Sequence, residues 1–446
     1  MQSLVVAAAA PSVAMPRRGE ASPLGPLRPD PDRILDLPEG FSYKIVSRAG
    51  DPMSDGMRTP GYHDGMAAFA GENGRVILIC NHELGPEDPN ESAFGGDINS
   101  APKIVREKIY DAGAGLTPGN GGTTTTIYDP ASGGVERQFL SLVGTEYNCA
   151  GGATPWGSWL TCEECFRDTG RDGPHYREKR HGYVFEVPAQ ATELVQPEPI
   201  TAMGRFEHEA AAVHAPTGIV YLTEDRNDSL FYRYVPDQPG KLLAGGRLQA
   251  LAIGDKGSVN TGNRPRSRSL EIGEPITTHW IDLDNVDSAK NDLRKRGAAK
   301  GAATFVRGEG LCAAGDDFFL TATSGGPVGL GQVFRYRASG FEGTAEEKNA
   351  PGSLTLIAES SRSSLLRNAD NIAMAPFGDL FVCEDTSSHC GIVGIGPDGV
   401  QYAIADNGYS SSELAGLCFS PDGETMFVNI QYPGMTLAVT GPWPVA

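Results

Sequence analysis

The chain repeats one short pattern, and this repeat restricts the fold more than any other feature of the sequence. In each copy a Pro-x-Gly turn is followed by an apolar strand and then by Glu or Asn, eight residues after the proline. The clear copies are PWGSWLTCE (155–163), PTGIVYLTE (216–224), PFGDLFVCE (376–384) and PDGETMFVN (421–429). Two degenerate copies, GENGRVILICN (71–81) and GDDFFLTAT (315–323), bring the number to six. Such internal similarity is typical of repeat architectures.

Each copy predicts several strands of one antiparallel unit. A short strand of small and apolar residues precedes each turn, so that the pair forms a β-hairpin closed by Pro, Gly and Asp. A third strand follows in all six copies, and a fourth follows in five of them. In the sixth copy the fourth strand is missing, and FSYKIVS (41–47) can supply it. The sequence therefore predicts an all-β, six-bladed β-propeller with four-stranded blades, in which the N-terminal strand closes the last blade.

The domain prediction follows from the repeat. One propeller domain with long inter-blade insertions is expected over residues 37–446, because repetition lets a fold exceed the roughly 300 residues at which ordinary single cores stop growing. Residues 1–36 are predicted to be an N-terminal tail or the remnant of an export signal. The segment MQSLVVAAAAPSVAMP has an apolar run and a small-residue end, but it lacks a basic region. We therefore expect a periplasmic or secreted protein, with a cytoplasmic location as the alternative.

The charge balance limits the classes of partner. The chain has 56 acidic and 37 basic residues, a formal net charge of −19. This charge argues against nucleic-acid and anionic membrane partners and leaves many carboxylates for hard cations. No apolar run approaches the roughly 20 residues that cross a bilayer. A monomer that acts on a small molecule is expected.

Acidic residues recur at one end of the predicted hairpins. The residue that enters the first strand of a hairpin and the residue that leaves the second strand lie at the same end. The entering acids are Asp64, Glu209, Glu309 and Asp370; the leaving acids are Glu83, Glu163 with Glu164, Glu224 with Asp225, and Glu384 with Asp385. A single acid at a strand end is usually a solvated loop residue. Because repulsion among so many carboxylates at one channel mouth is costly, the repetition favours a cluster of metal ions, and oxygen ligands suit Ca²⁺.

One cysteine lies next to these acids. Cys162 directly precedes Glu163, and a thiolate among carboxylates would favour a transition metal such as iron. The alternatives are a buried small residue and a disulfide with Cys165. Glu164 lies on the opposite side of an extended strand from Glu163, so it is expected to be solvated.

Two basic side chains extend the hypothesis. Arg307 precedes Glu309 by two residues, and alternate residues of an extended segment point the same way. Its guanidinium could bind a phosphate or carboxylate through two parallel hydrogen bonds, or it could simply pair with Glu309. His208 and Asp385 are candidates for supporting a metal ligand by a hydrogen bond or charge.

A set of motifs in sequence order resembles the PhoX-type alkaline phosphatases over about residues 37–443. The motifs are NHE (81–83), WLTCEE (159–164), RFEHEAA (205–211), YLTEDR (221–226), FVRGEGL (305–311), NADNI (368–372), FVCED (381–385) and GLCFSPDG (416–423). The resemblance implies a six-bladed propeller that hydrolyses small phosphomonoesters with several Ca²⁺ ions and one or two Fe³⁺ ions. It implies that Cys162 is the thiolate ligand of iron and that Arg307 holds the phosphate. The implied carboxylate ligands are Glu83, Glu163, Glu209, Glu309, Asp370 and Glu384.

Two other classes compete with this interpretation. A Ca²⁺-dependent lactonase would use one central Ca²⁺ to polarise a carbonyl group, and a non-catalytic calcium-binding propeller would serve as an interaction platform. The thiol and the inward arginine favour phosphoester chemistry, with Arg307 and Cys162 as the candidate catalytic residues.

Overall fold

The structure is a computed structural model that describes residues 22–170, 173–254 and 257–444. The predicted signal remnant in residues 1–21 therefore lies outside the described residues. Residues 22–36 were expected to belong to the tail, but a strand at Leu27–Arg28 and the start of a strand at Leu35–Pro38 lie within them and join a sheet. Ordered strand structure thus begins before the predicted domain boundary at residue 37.

Over the described ranges, the elements are mostly short strands, with two short α-helices in long loops. The first half of the chain forms β1 (Leu27–Arg28), β2 (Leu35–Pro38), β3 (Ser42–Arg48), β4 (His63–Ala70), β5 (Val76–His82), α1 (Lys103–Lys108), β6 (Gly121–Asp129), β7 (Gly134–Thr145), β8 (Asn148–Ala153), β9 (Ser158–Glu163), β10 (Val184–Pro188), β11 (His208–His214), β12 (Ile219–Glu224) and β13 (Tyr232–Pro236). The second half forms β14 (Gly246–Ile253), β15 (Pro275–Asp282), α2 (Leu293–Ala299), β16 (Gly308–Ala314), β17 (Asp317–Ala322), β18 (Gln332–Arg337), β19 (Ser353–Glu359), β20 (Ala369–Met374), β21 (Leu380–Glu384), β22 (Gly391–Ile395), β23 (Gln401–Asn407), β24 (Leu414–Phe419), β25 (Thr425–Ile430) and β26 (Met435–Thr440).

The sheets are less uniform than the sequence predicted. Their strand orders are β4-β5-β6-β7, β10-β9-β8, β11-β12-β13-β14-β15-β19-β18-β17-β16, β1-β2-β23-β22-β21-β20 and β24-β25-β26-β3. The prediction of six blades of four strands is therefore wrong in its strand count. One sheet has three strands because the segment after β10 forms no ladder, β15 pairs with both β14 and β19 and merges two units, and β1 and β2 extend another unit.

The fold is nevertheless an all-β propeller around one axis. The first strands of the hairpins contact each other in a closed ring, in the order β4, β8, β11, β16, β20, β24 and back to β4. We call these six the inner strands. The predicted closure is confirmed, because β3 pairs with β26 in an antiparallel ladder that runs from Ser42 with Thr440 to Arg48 with Met435. The closure hides an edge that would otherwise be open.

The apolar core lies between neighbouring sheets. In the largest cluster, the rings of Tyr221, Phe318 and Tyr336 are fully buried and pack at centroid distances of 4.2 Å and 5.4 Å from Tyr221. Alternating inward residues on strands of adjacent sheets produce this packing. The clusters hold the ends of the inner strands in fixed positions around the axis. Among the described residues, no helix has the length and apolarity that crossing a membrane requires.

Candidate metal centre

Every inner strand contains an irregularity at the same place. The pairing of each inner strand with its hairpin partner shifts register near the strand start, for example between His63 and Met66 and between Asn148 and Gly151. Such a β-bulge adds an unpaired residue and re-aims its side chain. The first unpaired residues, which we call the ring residues, are Asp64, Cys149, Glu209, Glu309, Asp370 and Gly416. Five of these six positions thus carry a side chain that can bind a metal.

The sixth ring residue is glycine for a steric reason. Gly416 has φ of +61°, and a Cβ built there would lie 2.3 Å from the backbone oxygen of Asp64. A residue with a side chain would be both strained and in collision with the neighbouring strand. Five ring residues therefore present a side chain that can bind a metal, and the sixth presents none.

A second set of side chains reaches the same place from the other hairpin strand. Each residue that directly follows the second strand of a hairpin is called an exit residue; these are Glu83, Glu164, Asp225, Thr323, Asp385 and Gln431. Five of the ring residues and four of the exit residues meet in a cavity of about 150 Å³. Its lining consists of Asp64, Glu83, Cys149, Glu164, Glu209, Asp225, Arg307, Glu309, Asp370, Asn371, Asp385 and Glu413. Among these described residues, nine carboxylates face one guanidinium.

The ligand atoms fall into three groups, and within each group they lie within 4.8 Å of one another. They are Cys149 with Glu164 and Glu209, Asp64 with Glu83 and Glu413, and Glu209 with Glu309 and Asp370. Glu209 belongs to two of them. The donor types of the groups differ, because the first contains a thiol and the other two contain only carboxylates.

The electrostatics of the cavity favour bound cations. Burial, followed by the charges of neighbouring carboxylates, raises the pKa of Glu209 well above its usual range, and the same causes act on Glu83. Burial raises the pKa of Asp64 to about 7, although hydrogen bonds to its charged form oppose the shift. Without cations these groups can remain buried only by taking up protons. The donor set therefore fits a cluster of metal ions.

Arg307 lies where the sequence predicted, and it is already paired. Its guanidinium contacts Glu309 at 2.7 Å and the Asp225 carboxylate at 2.9 Å, with Asp385 at 3.9 Å. Burial opposes ionisation, but the charges of Glu309 and Asp225 raise the pKa of Arg307 further above its ordinary value. Arg307 thus faces the cavity and forms ion pairs with its acids, and its role in holding phosphate stays a prediction.

The predicted position of Cys162 in the acid cluster is wrong. Cys162 is fully buried in an apolar cluster with Leu160, Val184 and Phe206. Its strand pairs regularly with β10, so its side chain points between sheets rather than into the cavity. Cys149, at the ring position of β8, is the cysteine that lines the cavity.

No disulfide joins Cys162 to Cys165, because both thiols are free. Cys165 is buried as well. Alignment of Cys149 with the entering acids of the other repeats was the signal in the sequence that could have identified it.

The two neighbouring glutamates exchange their predicted places. Glu163 is the last residue of β9 and lies away from the cavity, where its carboxylate contacts His181 Nδ1 at 2.6 Å and accepts a hydrogen bond from the N–H of Gly182 at 2.8 Å. Glu164, which was expected to be solvated, lines the cavity as the exit residue. The chain leaves the ladder at this point, so that strand alternation no longer predicts the direction of the side chain.

The same offset occurs at Glu384. Its carboxylate is buried and accepts hydrogen bonds from the N–H groups of Arg367 at 2.9 Å and Gly391 at 3.2 Å, so its predicted place among the metal ligands is wrong. Asp385, predicted as a supporting residue, lines the cavity directly. Glutamates at the ends of the second strands thus hold the third strands in place.

His208 also lies away from the cavity. Its ring stacks on Phe206 with a centroid distance of 3.6 Å, and its Nε2 lies 3.0 Å from the carbonyl oxygen of Gly204. Only its backbone carbonyl approaches the site, at 3.3 Å from the Cys149 Sγ. The remaining predicted residues, Glu83, Glu209, Glu309, Asp370 and Arg307, are brought together by the fold; their roles as ligands stay predictions.

The sequence and the fold were compared with those of known proteins. Residues 22–434 match the family described as alkaline phosphatase PhoX. The chain belongs to this family. PhoX from Pseudomonas fluorescens, solved in complex with the transition-state analogue vanadate, is 19% identical and superposes with a TM-score of 0.66, covering 92% of this chain and 96% of that chain. At this identity the superposition establishes the shared fold.

Other solved structures are more distant. XC5397 from Xanthomonas campestris, a gluconolactonase, is 12% identical with a TM-score of 0.40, over 94% of this chain and 99% of that chain. Virginiamycin B lyase from Staphylococcus aureus is 11% identical with a TM-score of 0.38, over 90% and 99% of the two chains. Neither similarity is close enough to support a functional assignment. No curated protein sequence matches the chain.

Proposed function

We propose that this member of the PhoX family is a metal-dependent phosphatase that hydrolyses small phosphomonoesters at the cavity. The observation that carries the proposal is the composition of the cavity, in which nine carboxylates and a thiol converge on the side chain of Arg307. Such a donor set suits several cations, and a guanidinium beside it suits the phosphate oxygens. The family match supports the same reaction class.

The identity of the metals is proposed from the donor types. The group of Cys149, Glu164 and Glu209 contains a thiol and would hold iron, because soft ligands select transition metals. The two groups that contain only carboxylates would hold Ca²⁺, which prefers hard oxygen ligands. We propose several Ca²⁺ ions and one or two Fe³⁺ ions in total. When bound, these ions supply Lewis acidity that offsets charge on the phosphoryl oxygens.

The protein's own residues would bind and orient the substrate. Arg307 reaches the cavity with its side chain about one-third exposed, so its fork is accessible to an incoming phosphate. Cations beside Glu309 and Asp225 would weaken the hold of these acids on the guanidinium. The fork would then stabilise the charge that develops on the equatorial oxygens during transfer.

The wider proposal concerns architecture and location. The closed ring of inner strands supports six blades in one domain around one channel. The net charge of −19 supports a small-molecule substrate rather than nucleic acid or a membrane. A monomer in the periplasm or outside the cell remains our proposal.

The test combines metal analysis with one substitution. Protein purified without chelator should contain iron and calcium together. Arg307→Ala should lower kcat on phosphomonoesters by about a hundredfold or more and weaken inhibition by inorganic phosphate, with unchanged metal content. Arg307→Lys should recover little, because an ammonium lacks the planar fork.

Arg226→Ala is the matched control. Arg226 pairs with Glu207 and does not line the cavity, so its loss should leave kcat nearly unchanged. Full activity in Arg307→Ala would reduce Arg307 to an ion-pair partner. Cleavage of lactones but of no phosphoester, with Ca²⁺ and no iron, would replace the phosphatase by a lactonase.

A further inference from the structure

The residue immediately before each inner strand occupies an equivalent place in every repeat. We call these the shoulder residues: Tyr62, Tyr147, Glu207, Arg307, Asn368 and Glu413. Four of them have left-handed backbone conformations, with φ of 44° at Tyr62, 47° at Tyr147, 58° at Arg307 and 48° at Asn368. This conformation is rare for bulky side chains and costs about 1–3 kcal/mol per residue. Its recurrence in four repeats indicates a shared structural role.

That role is visible in the hydrogen bonds. In five repeats the carbonyl of the shoulder residue accepts a hydrogen bond from the N–H of the exit residue. The pairs are Tyr62 with Glu83, Tyr147 with Glu164, Arg307 with Thr323, Asn368 with Asp385 and Glu413 with Gln431, at 2.9–3.2 Å. In the remaining repeat, the Glu207 side chain bonds with Arg226 and Asn291. Shoulder and exit residues are thus fixed to each other around the cavity mouth.

Two of the six shoulder side chains, those of Arg307 and Glu413, line the cavity, and the other four lie around it. Tyr62 occupies the same position one repeat after Glu413 around the ring. The backbone carbonyl of Tyr62 accepts a hydrogen bond from the N–H of Glu83 at 2.9 Å, so Tyr62 lies next to this cavity acid.

A second tyrosine enlarges this aromatic surface. Tyr432 follows the exit residue Gln431, whose amide nitrogen lies 2.7 Å from the carboxylate of Glu83. The ring of Tyr432 is 50% exposed, and its centroid lies 5.2 Å from that of Tyr62. Half-exposed Tyr432 and partly buried Tyr62 therefore form an aromatic pair next to Glu83, on the side of the Asp64, Glu83 and Glu413 group.

We propose that Tyr62 and Tyr432 form a subsite for the leaving group of the phosphate ester and that this subsite favours planar aromatic groups. The inference rests on the proposed phosphatase function. When the phosphate lies at Arg307, the remainder of the ester must leave the small, charged cavity through its mouth. An aromatic ring or nucleobase can stack on exposed tyrosine there, whereas a purely polyhydroxylated group gains less from it.

The test uses pairs of substrates in which the phosphate is esterified to a primary alcohol and only the rest of the leaving group differs. Adenosine 5′-monophosphate is compared with ribose 5-phosphate, and benzyl phosphate with cyclohexylmethyl phosphate. Wild-type protein should show the higher kcat/KM for the aromatic member of each pair. Tyr432→Ala should lower kcat/KM for the aromatic members by about tenfold, the scale expected from loss of one stacking contact, and leave the others nearly unchanged.

Three further variants separate stacking from structural damage. Tyr432→Phe keeps a ring and should retain the preference, while Tyr432→Leu should lose it. Phe341→Ala removes a ring of similar exposure from the loop between β18 and β19 and should change no ratio. Thermal unfolding of each variant checks that the fold is intact.

The outcomes distinguish the two proposals. A preference for only the nucleotide or only the benzyl ester identifies which aromatic group the subsite accepts, and supports it. If Tyr432→Ala lowers kcat/KM equally for both members of each pair, or for neither, the subsite is overturned and the phosphatase function stands. If wild-type protein with its metals hydrolyses none of the four esters, the phosphatase function itself is overturned, and the subsite with it.

Discussion

Two buried groups of carboxylates lie side by side, and adjacent residues of the chain belong to each. Glu164 lines the cavity, where one guanidinium faces nine carboxylates among the described residues. Glu163 belongs to a network with Glu146 and Asp111, in which each acid has a cationic partner. Both groups are rich in acids, so that composition alone does not separate them.

The network is satisfied by the protein's own cations. His181 lies between Glu163, at 2.6 Å, and Asp111, at 3.3 Å. Glu146 is paired with Arg167 at 2.8 Å and also with Arg177. Burial would raise the pKa of Asp111, but the hydrogen bonds of its carboxylate with His181 and backbone N–H groups lower it below the ordinary value.

The cavity behaves in the opposite way. Burial raises the pKa of Asp64 to about 7, and it raises that of Glu164 well above the usual range. The difference between the regions is the supply of positive charge, because both are shielded from water. A buried acid cluster is therefore a metal site only where side-chain cations are too few to neutralise it.

Removal of metal should have the largest effect, because it changes the cavity and leaves the network of Glu163, Glu146 and Asp111 unchanged. Chelation should abolish phosphatase activity and lower the melting temperature by several degrees, because cations that bind only the folded state stabilise it. Metal analysis and thermal unfolding measure both effects. Adding back Ca²⁺ and iron should restore both the activity and the melting temperature. Unchanged melting after complete loss of metal would show that the cavity is neutralised by protons alone.

Substitution of Cys149 and of Cys162 should have different effects, because only Cys149 lines the cavity. Cys149→Ser should remove iron and most activity while the fold remains, since this thiol belongs to the cavity. Cys162→Ser should keep its iron but lose about 1–3 kcal/mol of stability, because a hydroxyl replaces a thiol in an apolar cluster. Iron content and denaturant unfolding are the measurements. Loss of iron from Cys162→Ser alone would contradict the assignment.

The adjacent glutamates give a matched pair with opposite expectations. Glu163→Gln should destabilise the protein by about 3–5 kcal/mol, because the buried His181 loses a charged partner. Glu164→Gln should reduce metal content, yet leave the metal-free protein as stable as the wild type or more so, because it removes one charge from a repelling cluster. Chemical denaturation of the metal-free proteins compares them. Equal destabilisation by both changes would refute the distinction.

The last expected effect is a pH dependence of the network. Burial lowers the pKa of His181, but the charge of Glu163 and hydrogen bonds to two carboxylates raise it to about 9. Since its unfolded value is about 6.5, His181 contributes stability that is fully present below about pH 6.5 and is lost as the pH rises through about 9. Wild-type protein should lose up to about 3 kcal/mol over this range relative to His181→Asn. If the free energy of unfolding depends on pH in the same way in the wild type and in His181→Asn, the prediction is wrong.

Residue type and repetition were enough to find the ring acids. Glu209, Glu309 and Asp370 recur at the same place in successive repeats, and the fold brings them together as expected. The closure of β26 by β3 was also predictable, because one repeat lacked a strand. These features follow from the pattern of the chain and from the geometry of hairpins.

The exit residues Glu164 and Asp385, unlike Glu83, could not be assigned to the correct position. Strand alternation identifies the face of Glu163 and Glu384 only while the ladder continues, and the ladder ends at both. The direction of the next residue depends on the hydrogen bond from its N–H to a shoulder carbonyl, as at Glu164 and Asp385. That contact joins residues far apart in sequence, and it leaves no local signal.

The pairing of β3 with β26 also bears on how the protein is made. The group of Asp64, Glu83 and Glu413 combines the first repeat with the last, and Gln431 contacts Glu83 across 348 positions of the chain. During synthesis, the early repeats can fold as they emerge, but this seam cannot close until the final strands leave the ribosome. The cation held there would bind last, and it would fasten the two ends of the ring to each other.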